Sequence, residues 1–178
     1  MAFMAAAHFV YGAFLGMVWC LVRIFIPSPS GRKRFNVLGA LHAVSKEVLT
    51  LTNETCINAQ SVCQFLLQIV QHYGSMPIIV VLDNARYQKC ALVQDCAAEF
   101  GTELLYLPSY SPQMNLIERY WRFLRKKCLY STYYPDFKKF KTATERCITS
   151  AIYKYSDELE SLLTLNFQSF NKVQISTV

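Results

Sequence analysis

The chain is poor in charged residues. Only 17% of its 178 residues are Asp, Glu, Lys or Arg, whereas 53% are hydrophobic. An average soluble domain has about 25% charged residues. A chain this apolar can bury enough surface to fold, which excludes a disordered tail. Its length fits one domain with a sizeable core, so we expect residues 1–178 to form a single domain.

The sequence also lacks the patterns of several common sites. No two of its seven cysteines have the two-residue spacing of a zinc knuckle or a redox pair, and the three histidines belong to no such pattern. There is no internal repeat and no low-complexity tract. We therefore predict reduced, mostly buried thiols in a cytosolic protein.

Acidic residues are the scarcer charged class. The chain has 12 Asp and Glu against 18 Lys and Arg, which gives a net charge of +6. A positive balance favours polyanionic partners, namely nucleic acid or anionic lipid, and says nothing about the fold.

Formal charge is absent from residues 3–22. These twenty residues are long enough for a membrane-spanning helix. They make a poor signal peptide, because no Lys or Arg precedes them and no clear cleavage site follows. Their aromatic and β-branched residues, with Gly12 and Gly16 as turns, equally indicate two buried strands. The segment alone leaves both interpretations open.

Beyond a turn at residues 27–31, strands and helices alternate in the hydrophobic pattern. Strands are predicted at residues 35–41, 46–52, 77–82 and 103–107. Helices are predicted at residues 58–73, 90–100 and 113–128, and the remaining chain is expected to be mainly helical. This order indicates a mixed sheet flanked by helices, in the α/β class. In such sheets, polar residues at the carboxyl end of a buried strand mark the site.

Asp83 follows the buried strand at residues 77–82 directly. A carboxylate there is costly unless it is solvated, paired or bound to a cation. Taken alone, it is best interpreted as a turn aspartate, with Arg86 as a possible partner.

Glu118 lies in the helix that Ser111 and Pro112 are predicted to begin. It shares one face with Asn115, Arg122 and Arg125, so alone it is best interpreted as part of an ordinary Glu–Arg surface pair. The apolar face of this helix is predicted to contain Ile117, Tyr120, Leu124 and Cys128.

Residues 119–127 place five positive charges among aromatic side chains. This composition suits either a nucleic-acid backbone or a solvated basic face. Together with Asp83 and Glu118, it indicates divalent cations and phosphoryl transfer, which require both carboxylates and phosphate-binding cations.

The segments VVLDNARYQKC, at residues 80–90, and LPSYSPQMNLIERYWRFLRKK, at residues 107–127, resemble the catalytic core of DDE transposases. The branch is that of the bacterial insertion-sequence relatives of the mariner superfamily. Asp83 and Glu118 are separated by 34 residues, the spacing of the second and third catalytic carboxylates in that family. The resemblance extends over essentially the whole chain, including GRKRFNVLGAL and INAQSV.

The resemblance implies an RNase H-like fold, with a mixed five-stranded sheet flanked by helices. It implies a two-ion site for Mg²⁺ or Mn²⁺, in which one ion activates water or a DNA 3′-hydroxyl and the other stabilises the leaving oxygen. The activity would be DNA strand cleavage and strand transfer during transposition. The partners would be transposon-end and target DNA and a second copy of the chain, without membrane association, in the bacterial cytoplasm at the nucleoid.

The resemblance also assigns roles to individual residues. Asp83 and Glu118 would be the catalytic metal ligands, and Asn84 and Asn115 would support them by hydrogen bonding. The candidate DNA contacts are Arg86, Arg122, Arg125 and Lys126.

Two departures from the family pattern stand out. The helix-turn-helix modules that precede the family's catalytic core are expected to be absent. In addition, Ala5 occupies the position of the first catalytic aspartate on the first strand, within FMAAAHF. Alanine cannot ligate a cation, so we expect the chain to be inactive or severely impaired. The motif match also favours a buried strand over a membrane helix for this segment.

Two other functions remain open at this stage. The chain could be a DNA-binding or regulatory remnant of a transposase that does not cut DNA. Alternatively, and against the motif match, it could be a small membrane protein anchored by residues 3–22.

Overall fold

Five strands form one mixed sheet in this computed structural model, which describes residues 1–12, 21–23, 25, 33–74, 76–109, 111–130 and 132–167. The strands are β1 (Ala2–Val10), β2 (Arg34–His42), β3 (Val48–Asn53), β4 (Ile78–Leu82) and β5 (Thr102–Tyr106). The α-helices of the described residues are α1 (Ala59–Tyr73), α2 (Ala91–Glu99), α3 (Leu116–Leu124), α4 (Phe137–Lys154) and α5 (Ser156–Leu162). The predicted α/β class is confirmed.

The sheet has the strand order β3-β2-β1-β4-β5. The first three strands are antiparallel neighbours, and β1 pairs with β2 from Ala2 opposite His42 to Val10 opposite Arg34. Strands β4 and β5 run parallel to β1. The central position of β1 explains why its sequence is almost continuously apolar, since helices cover both faces of the strand.

Strand β1 resolves the ambiguity of the uncharged N-terminal segment. Residues 2–10 are extended and pair with β2 rather than with a strand inside residues 3–22. The second strand predicted within that segment and the turn at 27–31 lie outside the described residues. None of the helices in the described part of the chain combines the length and apolarity that crossing a membrane requires.

Alternate residues of β1 enter two separate cores, as the period of two in a strand requires. Phe3, Ala5, Ala7 and Phe9 face the core formed with α3, α4 and α5. The opposite face of the strand contributes Ala2 and Met4 to the core that includes residues of α1 and α2. The side chain at position 5 therefore belongs to the face that α3 covers.

Helix α1 has the ends that its sequence predicts. The side chain of Asn58 accepts a hydrogen bond from the Ser61 N–H at 2.9 Å, which satisfies one of the free donors of the first turn. Gly74 ends the helix with a φ of 66°, a conformation that glycine adopts without steric cost.

The continuous helix predicted at residues 113–128 is wrong. The chain forms a short 3₁₀ turn at Pro112–Met114, becomes extended at Asn115 and then enters α3. After α3 it continues as a π-helical segment at Arg125–Leu129. Ser111 therefore precedes the 3₁₀ turn and does not cap α3. The break occurs at Asn115 because its side chain bonds to another part of the molecule instead of capping the helix.

The cysteines differ from the prediction of seven reduced thiols. Cys128 and Cys147 form a disulfide, with their Cα atoms 6.3 Å apart, because α4 packs against the π-helical segment. The other described cysteines are free, and one of them, Cys56, is exposed.

Gly39 provides a test of the packing between the sheet and α3. It lies opposite Ala5 on β2, and a Cβ atom added there would overlap the ring of Trp121 and lie 2.9 Å from Cδ1 of Ile117. We expect Gly39→Ala to lower the free energy of unfolding by about 1–3 kcal/mol, the usual cost of overpacking. Urea denaturation measures this change.

The matched control is Gly12→Ala, since a Cβ at position 12 meets no atom within 4 Å. Equal stability of the Gly39→Ala variant and the parent would mean that Trp121 does not pack on β2 as described.

Candidate active site

The parallel pairing of β1 and β4 aligns two candidate positions, 5 and 83, on neighbouring strands. Phe3 lies opposite Val81 in this ladder. Continuing the same register by two residues along each strand, Ala5 comes level with Asp83. Phe3 and Val81 both belong to the core beneath α3, so positions 5 and 83 share that face of the sheet.

Asp83 immediately follows β4 and is half-buried. Its Oδ1 accepts a hydrogen bond from the Ala85 N–H at 3.1 Å, which fixes the start of the loop. Arg86 is exposed, and no salt bridge joins it to Asp83 within the described residues. The predicted pairing of Asp83 with Arg86 is therefore wrong.

Glu118 lies in the first turn of α3, half-buried. Burial raises the pKa of its carboxyl group, Arg125 opposes that rise, and the neighbouring carboxylate of Asp83 adds to it. No salt bridge to Arg122 is present in the described part of the chain, so the predicted surface pair is not formed. Asp83 and Glu118 are thus close enough to influence each other.

The two predicted supporting residues, Asn84 and Asn115, use their amide groups in the same way. The Nδ2 of Asn84 donates to the main-chain oxygen of Leu107, and that of Asn115 donates to the main-chain oxygen of Met4 at 3.1 Å. In both residues the amide Oδ1 is buried and has no hydrogen-bond partner. Unpartnered buried oxygens are uncommon and call for a ligand, water or ion.

The bond from Asn115 to Met4 also sets the position of α3. Asn115 is 1% exposed and its main-chain oxygen accepts from the Glu118 N–H at 3.1 Å. One end of this residue therefore contacts the helix that carries Glu118, and the other contacts β1 one residue before Ala5.

These groups line a cavity of about 430 Å³. Its lining residues are Asp83, Asn84, Ala85, Leu107, Pro108, Ser109, Ser111, Pro112, Asn115 and Glu118. The carboxylates of Asp83 and Glu118 are oxygen ligands of the kind that hard cations such as Mg²⁺ prefer. Within the described residues there is no group of three or more acidic, His or Cys side chains that could hold a metal.

The candidate DNA contacts differ in exposure. Arg122 and Lys126 are exposed and line a second cavity of about 670 Å³ beside α3. Arg86 is exposed in the loop after Asp83. Arg125 is half-buried, with its guanidinium 5.5 Å from the centre of the Phe9 ring, so part of its role is packing.

Arg119 has a structural role that the sequence did not reveal. Its guanidinium donates hydrogen bonds to the main-chain oxygens of Gln113, Leu162, Thr164 and Asn166. It therefore ties the chain after α5 to α3, although it belongs to the basic run. The three partners beyond residue 160 lie too far along the chain for any local pattern to predict these bonds.

Several solved structures share this fold. The Mos1 mariner paired-end complex with Mn matches with a TM-score of 0.63 and 13% identity, over 94% of this chain and 56% of that one. The simian T-cell lymphotropic virus intasome matches with a TM-score of 0.59 and 12% identity, over 85% of this chain and 48% of that one. The catalytic core domain of BIV integrase matches with a TM-score of 0.52 and 20% identity, over 71% of this chain and 87% of that one.

These likenesses establish the class of fold. The mixed five-stranded sheet and its flanking helices are those of an RNase H-like domain of the transposase and integrase type, as predicted. This chain spans about half the length of the transposase and intasome chains that it matches. No curated protein is similar enough to count as a match.

The chain belongs to the DDE superfamily endonuclease family, which its residues 23–141 match. That range contains Asp83 and Glu118 and begins after position 5.

The raised pKa of Glu118 predicts a pH dependence of stability in the absence of metal. The folded state binds this proton more tightly than the unfolded state, so the free energy of unfolding falls as the pH rises above the ordinary glutamate value of 4.5. We expect Glu118→Gln to remove part of this decline and to be more stable than the parent at pH 7. Urea denaturation between pH 4.5 and 7 measures both effects.

Glu99→Gln, the same substitution at an exposed position, is the control for the loss of one charge. Parallel profiles for the parent and the Glu118→Gln variant would show that Glu118 is not buried as described.

Proposed function

We propose that this chain is the catalytic core of a DNA transposase that uses two Mg²⁺ or Mn²⁺ ions, and that Ala5 leaves it inactive or severely impaired. The observation that supports the proposal best is the shared cavity. Asp83 and Glu118 line it together with Asn84 and Asn115, and the β1–β4 register, continued by two residues, brings Ala5 level with Asp83.

In this proposal, Asp83 and Glu118 would hold the ions; the first follows β4 and the second lies in the first turn of α3. Asn84 and Asn115 position the β4 loop and the start of α3 through the hydrogen bonds that their amide nitrogens donate. The bound ions would activate the attacking hydroxyl and stabilise the charge on the scissile phosphate.

Ala5 is the reason for expecting impaired activity. Its side chain is 0% exposed and has no atom that can bind a cation, while the continued β1–β4 register brings it level with Asp83. The two-ion site would therefore have two carboxylates instead of three. Metal stabilisation of the transition state is worth several kcal/mol, and each 1.4 kcal/mol corresponds to about tenfold in rate.

We expect Ala5→Asp to restore Mg²⁺- or Mn²⁺-dependent nicking of DNA, at a rate at least about 100-fold above that of the chain with Ala5. Without metal, the new buried carboxylate should lower the melting temperature, because its charge is desolvated. Mn²⁺ should raise that temperature again, since an ion that binds only the folded state stabilises it. A nicking assay and thermal unfolding with and without Mn²⁺ test these expectations.

Ala5→Asn is the matched control, because it has nearly the same shape as the aspartate variant without its charge. Cleavage by the Ala5 chain as fast as by the Ala5→Asp variant would overturn the proposed role of position 5.

A second candidate function is a DNA-binding or regulatory protein that does not cut DNA. Two observations favour it: the site has one carboxylate fewer than a triad, whereas Arg122 and Lys126 remain exposed. Such a protein would bind DNA through its phosphates alone, with an affinity that falls steeply as salt rises.

We expect Arg122→Ala and Lys126→Ala each to weaken DNA binding and to reduce the slope of log affinity against log salt by about 1, as the loss of one phosphate contact does. Their stability should be close to that of the parent, because both side chains are exposed. Fluorescence anisotropy at several salt concentrations measures the slope.

Arg119→Ala is the complementary control, since Arg119 bonds to main-chain oxygens. It should cost about 2 kcal/mol of folding stability, the range for hydrogen bonds to a charged group, with a smaller effect on the salt slope. If Arg122→Ala and Lys126→Ala both leave the salt slope unchanged, the DNA contacts lie on another part of the molecule.

The proposal also includes the assembly and the place of action. The chain would act as one catalytic domain, as a homodimer on transposon-end and target DNA, in the cytoplasm of a bacterial cell at its nucleoid. Analytical ultracentrifugation with and without DNA tests the dimer.

A further inference from the structure

Gln88 is a buried amide that the proposed mechanism does not use. It lies in the loop between β4 and α2 and is 0% exposed. A buried amide with no partner would cost about 1–3 kcal/mol, so the groups around it determine what it does.

The side chain of Gln88 lies against Asp83. With its nitrogen directed at this residue, the amide donates to Oδ1 and, at 3.1 Å, to the main-chain oxygen of Asp83. The opposite orientation would place the amide oxygen against these acceptors. The two ends of an amide are assigned from their hydrogen-bond partners, and here the partners decide for the nitrogen. The amide oxygen then faces the hydroxyl of Tyr87.

The two oxygens of Asp83 consequently differ. Oδ1 accepts from both the Ala85 N–H and the Gln88 amide. Oδ2 accepts no hydrogen bond from the described residues. Two donors on one oxygen hold the plane of the carboxylate and leave the other oxygen available to a ligand.

Gln88 is itself held from two directions. Its N–H donates to the main-chain oxygen of Ala85 at 2.9 Å. Its main-chain oxygen accepts from the hydroxyl of Tyr106, on β5, at 3.1 Å. The edge strand β5 thus supports Gln88, and Gln88 supports Asp83.

We propose that Gln88 is a positioning residue, whose amide fixes the carboxylate of Asp83 so that Oδ2 is presented to a divalent cation. This inference rests on the proposed function, in which Asp83 is a metal ligand. Partners that orient a ligand typically contribute 10–100-fold to metal affinity. Without the amide, only the Ala85 N–H holds the carboxylate of Asp83, and the affinity should fall within that range.

The test measures Mn²⁺ affinity by electron paramagnetic resonance, both in the unmodified chain and in the Ala5→Asp variant. Gln88→Met keeps the length of the side chain and removes its donor. It should lower Mn²⁺ affinity by about tenfold or more in both backgrounds. Tyr106→Phe is the matched control: it loosens the same loop but leaves the amide in place, so it should change stability and keep the affinity within about twofold of the parent.

Asp83→Asn separates failure of this inference from failure of the proposed function. If Asp83→Asn does not weaken Mn²⁺ binding, Asp83 is not a ligand and the proposed function fails. If Asp83→Asn weakens binding and Gln88→Met does not, the role of Gln88 is overturned while the proposed function stands.

Two further variants also test the role of Gln88. If Gln88→Met does not fold, Gln88→Asn, an amide one methylene shorter, should give the same loss of affinity. Combined with Asp83→Asn, Gln88→Met should cause no additional loss. An additional loss of tenfold would show that Gln88 acts independently of Asp83 and would overturn the inference.

Discussion

The parallel pairing of β1 with β4 is the constraint on which the rest of the site depends. It is short, with Ala2 opposite Val80 and Phe3 opposite Val81, and continuing it by two residues brings Ala5 level with Asp83. Helix α3 then packs on the same face of the sheet and brings Glu118 toward the end of β4. Separate segments of the chain converge because two strands share one register.

Burial of polar groups in the site costs folding free energy, which the surrounding packing must offset. Two carboxylates lie near each other, and the amide oxygens of Asn84 and Asn115 are buried without partners. Each such group costs about 1–3 kcal/mol of folding free energy. Asp83 and Glu118 line the cavity, so a cation bound there, as proposed, would offset part of this cost.

Local sequence patterns were sufficient for the α/β class, whereas the RNase H-like fold and the joint assignment of Asp83 and Glu118 depended on the family resemblance. A β-branched run ending at Asp83 and a helix face containing Glu118 are short-range signals. The break at Asn115 was missed because its partner, Met4, is 111 residues away. The bonds of Arg119 beyond residue 160 and the disulfide between Cys128 and Cys147 depend in the same way on contacts that no local pattern contains.

The bond between Asn115 and Met4 has a consequence for how such a protein changes over generations. The acceptor is a main-chain oxygen, so the attachment of α3 to β1 does not depend on which side chains β1 carries. In the proposed function, a substitution at position 5 would remove a metal ligand while the supporting frame persists. Ala5→Asp would then find that frame already assembled.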